Sequence, residues 1–170
     1  MKKKETLFLK SVILLITLAV VTFLVFLTIP FRNELSQPYE ERDYLPIFSV
    51  IYFSSMPFLY GLYQSFKLLT FIDRNKAFSK LAISSLNRIK LSSLTISAIF
   101  TIHLPFIFKI ADMDDAPGLM LIALIIIFAT FVVAIFAAVL QKLLQNAIDI
   151  KSENELTVSI VTTGIIINID

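Results

Sequence analysis

The sequence predicts an all-α integral membrane protein. It reads as a four-helix bundle, N-in and C-in, with the third and fourth helices extended into the cytosol and a short extended or disordered C-terminal tail. Three observations predict this. Of 170 residues, 57% are hydrophobic and only 16% are charged, whereas a soluble domain carries about a quarter charged residues. The apolar residues gather in four long runs. The basic residues fall on one side of those runs.

The runs cover about 7–29, 46–71, 91–110 and 118–140. Each is close to the roughly 20 residues of helix that cross about 30 Å of hydrocarbon. The first begins "MKKKETLFLK", a basic start that could open a signal peptide. Its apolar part is too long for one, and no small-residue cleavage site follows. It is read as an uncleaved span. Pro30 follows the first run, Pro46 opens the second and Pro117-Gly118 opens the fourth. A helix start tolerates proline because the missing N–H has no partner there.

Charge sets the expected orientation. Lys2, Lys3, Lys4 and Lys10 precede the first span or start it. Lys67, Arg74, Lys76, Lys80, Arg88 and Lys90 cluster between the second and third. Lys142 and Lys151 follow the fourth. The other side holds only Arg32, Arg42 and Lys109, beside Glu34, Glu40, Glu41, Asp43, Asp112, Asp114 and Asp115. Lysine and arginine in short loops stay cytoplasmic. Both termini are therefore expected inside, and the acidic loops outside.

Two helices are expected to outrun the membrane. Leu140, Leu143, Leu144, Ala147 and Ile148 keep the i, i+3, i+4, i+7, i+8 pattern of an amphipathic helix. This predicts a cytosolic helical extension over 141–155. The stretch "FSKLAISSLNRIK" reads as a helical run-in to the third span or a helix lying on the headgroups.

Polar side chains within spans are costly, so each is a candidate site. In the second span Ser49, Tyr52, Met56, Tyr60, Tyr63, Gln64 and Lys67 recur at three- and four-residue spacing. One reading is the lining of a polar cavity. The plainer reading is interhelical hydrogen bonding, interface tyrosines and a snorkelling Lys67. Pro57 is expected to kink this helix, and Gly61 to permit close approach. His103, alone in "TIHLPF", could sense protons. With no carboxylate in the spans to relay with, it reads as a neutral bundle residue.

Ser93, Ser97 and Thr101 are spaced by four, as are Thr130, Ala134 and Ala138. Such small-residue stripes let helix backbones approach. The two are expected to face each other across antiparallel third and fourth helices. The acids of "DMDDA" could bind a hard cation, but their spacing matches no EF-hand loop, so a solvated acidic turn is the better account. There is no cysteine, one histidine and only three glycines. Thiol chemistry, a two-histidine metal site and a glycine-rich nucleotide loop are excluded. The chain is read as non-enzymatic, with no cofactor and no direct nucleic-acid binding.

The stretches "GLYQSFKLLTFIDRNKAFSKLAISSLNRIK" and "FAAVLQKLLQNAIDIKSENELTV" resemble the bacterial membrane family called domain of unknown function 2975. The likeness runs from the first span to about Val158, giving a single membrane domain over 1–158 and a tail over 159–170. It implies no reaction and no catalytic residue. It does imply a gene context, since members are often encoded beside a short helix-turn-helix regulator of the Cro/C1 type. The favoured expectation is a membrane partner or sensor for such a regulator. The alternative is a small oligomeric transporter, channel or resistance-type protein, motivated by the polar stripe and needing a second copy to form a conduit.

The tail "VTTGIIINID" is too short for a span, and its isoleucines and threonines favour extended structure. "GIIINID" resembles the opening strand of those regulators. One reading is translation past a lost stop near Ser159. The other is a disordered or surface-lying terminus.

Overall fold

The computed structural model describes residues 3–38, 43–74 and 78–167, with side chains between Glu5 and Val158. Lys2, Lys76, Glu40, Glu41 and Arg42, and tail residues 168–170, lie outside the described residues. The described chain is all helix and loop: α1 (Lys3–Ser36), α2 (Leu45–Asp73), α3 (Lys80–Met113) and α4 (Pro117–Ile167). All four are long and apolar enough to span a membrane.

Each helix overshoots its apolar run. α1 continues six residues beyond Pro30, which sits inside the helix instead of ending it. Proline there forfeits only the bond to the Phe26 carbonyl. α3 begins at Lys80, so the run-in and the third span are one helix, capped by Ser79 Oγ accepting from Ala82 N at 3.3 Å. α4 is 51 residues long, about 77 Å at 1.5 Å per residue. It absorbs the predicted 141–155 extension and continues through Ile167. This corrects the extended or disordered tail. Adding a residue to an existing helix avoids the nucleation cost, and the propensity penalty of isoleucine or threonine is only a few tenths of a kcal/mol.

Cross-helix contacts show three antiparallel neighbours in chain order. Tyr52 Oη donates to the Leu24 carbonyl at 3.2 Å, joining α2 to α1. Tyr44, beside the start of α2, donates to Asp114 at the end of α3 (3.0 Å). Lys90 Nζ donates to Gln141 Oε1 at 3.4 Å, joining α3 to α4. Among the described residues, backbones approach only as α1 on α2, α2 on α3 and α3 on α4. The array is therefore open, not closed into a ring.

α3 is the central helix. Its Ile96, Phe100 and Ile107 join Val50 of α2 and Ala123 of α4 in the core. The α3–α4 turn closes in a Schellman pattern. Ala116 N donates to Ala111 O, Asp115 N donates to Asp112 O, and Asp115 takes φ 49°. That left-handed conformation is one aspartate tolerates better than most residues. The turn thereby consumes part of the acidic cluster. Asp114 accepts from Tyr44 Oη, and this bond, followed by the carboxylate's charge, raises the Tyr44 pKa above its usual value. Lys109 lies 3.9 Å from Asp43.

Candidate functional site

The polar stripe of α2 is divided by its neighbours. At about 100° per residue, the positions from Tyr52 to Gln64 fan over roughly a third of the helix circumference. Tyr52 marks one edge. Its hydroxyl lies 3.2 Å from both Leu24 O and Thr28 Oγ1 on α1, and its ring packs on Phe31. Gln64 marks the other edge, 1% exposed. It shares the α3-facing side with Val50, Ser54 and Gly61, the last in contact with Ser92 of α3. Between these edges, Met56, Tyr60 and Tyr63 are exposed, Tyr63 at 59%. Lys67 extends 5.9 Å over the Phe71 ring. Ser49 Oγ returns to the Pro46 carbonyl. The stripe thus forms the floor of the open groove between α1 and α3, and its members do not converge.

Many hydroxyls along the spans follow one rule. Ser11, Thr17, Ser65, Thr70, Ser92, Thr95 and Thr130 each donate to a carbonyl of their own helix four residues back. In hydrocarbon this satisfies the group without a second helix. His103 does the same, with Nδ1 at 2.8 Å from Ile99 O. That geometry puts a proton on Nδ1, and the ring otherwise meets Phe106. Nothing brings His103 to the α2 stripe.

Gln64 breaks the rule. Among the described residues, the buried side-chain nitrogen and oxygen atoms without a partner are both amide atoms of Gln64 and Thr6 Oγ1. An unpaired buried polar atom costs about 1–3 kcal/mol. Replacing Gln64 by the similarly shaped methionine is therefore expected to stabilise the protein by about that amount. A thermal melt in detergent checks it. A lower melting temperature in Gln64→Met would mean that the amide is satisfied by a group it holds in the native membrane.

The small-residue stripes meet in their middle only. Ser93, Ser97 and Ala134 are buried, and Ser97 Oγ donates to Ile127 O of α4 at 3.4 Å. Thr130 and Ala138 are half-buried, while Thr101 is exposed and donates to Ser97 O. Thr101 is thus a correction to the expected seam. A strict four-residue repeat advances about 40° per step on a 3.6-residue helix, so two steps leave the interface. The buried partner of Ala134 is instead Ala137, three residues on. Sequence reading missed Ala137 and also Ser85 and Ser92, which are buried on α3. An alternating three-and-four template, in place of fours, would have found Ala137.

No group of three or more His, Cys, Asp or Glu side chains that could hold a metal occurs among the described residues. No solved structure matches the chain. The chain is 44% identical over 160 residues to the uncharacterized membrane protein YoaS of Bacillus subtilis (strain 168), covering 93% of this chain and all of that protein. The model of the family described as "Protein of unknown function (DUF2975)" matches residues 32–158. The match starts after most of α1 and so falls short of the first span. At its other end it stops at Val158, where the resemblance was expected to stop. The chain is a membrane protein, and it belongs to the DUF2975 family.

Proposed function

We propose that this chain is a non-enzymatic membrane partner or sensor for a small cytosolic helix-turn-helix regulator. The observation carrying this reading is the pair of antiparallel helices that outrun their apolar runs at one end. α3 starts about eleven residues before its apolar run, and α4 continues 27 residues beyond Leu140. α1 begins at that same end, and twelve of the fifteen basic residues cluster there. By the preference of lysine and arginine for the cytoplasm, that end and both termini are cytoplasmic. The docking surface is then 73–90 together with 141–155. The gene context implied by the family resemblance supplies the class of partner. The transporter alternative is disfavoured because Tyr52, Tyr60, Tyr63, Gln64 and His103 do not converge.

Co-purification tests the reading. The regulator encoded beside this chain is expected to copurify with membranes containing it. It should be lost when residues after Leu140 are deleted and kept when only residues after Val158 are removed. A regulator equally soluble and active in cells lacking this protein sinks the proposal.

A further inference from the structure

α4 has two lengthwise faces. Ala123, Ala134 and Ala137 are buried against the rest of the molecule, and Gln141 continues that side to Lys90 of α3. Roughly opposite runs an apolar stripe at three- and four-residue spacing: Phe136, Leu140, Leu143, Ala147 and Ile150, then Asn154. Leu143 is 59% and Ile150 61% exposed. From Leu140 onward the spacing is 3-4-3-4, the repeat of a two-stranded coiled coil, with a polar asparagine at one seam position.

Lipid can cover Phe136. Ile150 follows Gln141, Lys142, Gln145, Asn146 and Asp149, polar groups costly to keep in hydrocarbon, so lipid is not expected to reach it. α3 does not cover the far end either. Lys90 is level with Gln141, so antiparallel packing puts Lys80, ten residues earlier, level with residue 151. The last 16 helical residues, 152–167, stand about 24 Å beyond the start of α3.

We propose that this face of α4 pairs with α4 of a second copy, in parallel and in register about a two-fold axis along the membrane normal. The stripe is continuous across the membrane boundary, so whatever covers all of it must itself span the membrane. A second copy, inserted the same way, places its own stripe at the same depth. Ile125, 57% exposed, lies on the same face about three turns before Phe136, so from Ile125 to Asn154 the seam is about 45 Å long and one helix wide. That is about 500 Å² per copy, near the roughly 1,000 Å² total of a specific interface. Asn154 meets its symmetry mate and fixes the register. This pairing needs no regulator; it occupies one face of 141–155 and leaves the flanks of that helix, with 73–90, to the docking surface.

The 170-residue chain contains no cysteine, so single-cysteine probes report unambiguously. Leu143→Cys, Ala147→Cys and Ile150→Cys, oxidised in isolated membranes, are expected to form a disulfide-linked species of twice the 19.2 kDa chain mass. Gln145→Cys and Asp149→Cys, on the other face, should do so several-fold less. Equal crosslinking at all five positions, none at any, or linkage to a species of another mass overturns the proposal. In lipid nanodiscs, native mass spectrometry should count two chains for the unmodified protein and one for Leu143→Lys/Ile150→Lys at unchanged helical circular dichroism. One chain in the former, or two in the latter, also overturns it.

Discussion

Replacing Gly61 by leucine is expected to unseat α2 from α3 and cost about 2–3 kcal/mol, at the upper end of overpacking penalties. A Cβ built on Gly61 would lie 3.5 Å from Ser92 Cβ and 3.9 Å from Ser92 Oγ. That is ordinary contact, so a methyl group fits. Gly61→Ala should be neutral or stabilising by up to about 1 kcal/mol, since glycine is the poorer helix former. Leucine adds three further carbons at a place where the seam has spent its space on one. Without a hydrophobic drive between helices in lipid, close packing carries much of the association, so the seam cannot relax without losing it. Denaturant titration of the two variants beside the unmodified protein, in one detergent, checks the order. A leucine variant as stable as the alanine variant would show that α2 and α3 separate freely there.

The same residues show what was legible in the sequence. Hydrocarbon thickness imposes a length, so the four spans could be read from apolar runs alone. Helix ends could not, because extending a formed helix across polar or β-branched residues costs little, as at 141–167. Of the helix pairings, only the antiparallel third and fourth helices were expected from the sequence, and Lys90 beside Gln141 agrees. Whether the array closes depends on side chains at each flank, and α1 meets only α2. The stripe on α2 is the clearest instance. Its spacing describes one broad face, but a broad face can look three ways. Tyr52 turns to α1, Tyr63 to the exterior and Gln64 to the interior. Periodicity gives the angle between residues on a helix and not where the neighbouring helices stand.

Substituting Lys10 by leucine is expected to loosen α1 more than any other single change on that helix. α1 is held to α2 by two clasps. One joins Tyr52 to Leu24 and Thr28, with Phe31 against Phe48 and Tyr52. The other is the ion pair of Lys10 with Asp73, the lysine also lying 5.6 Å from the Phe66 ring centre. Much of the remaining α1 surface is exposed and apolar, including Leu14, Leu18 and Phe26, and gains nothing from α2 that lipid does not offer. Lys10 and Asp73 are 21% and 26% exposed, so solvent screens them less than a surface pair, which is worth about 0–1 kcal/mol. Removing one partner of a fully buried pair costs about 3–5 kcal/mol. An intermediate loss of about 1–3 kcal/mol is expected for Lys10→Leu, because the Asp73 carboxylate loses its lysine. The double variant Lys10→Leu/Asp73→Leu should therefore recover most of the loss. A double-mutant cycle read by denaturant titration, with amide exchange localised to α1, measures it. Additive losses in the double variant would mean that the pair holds nothing and that α1 is retained by the Tyr52 clasp alone.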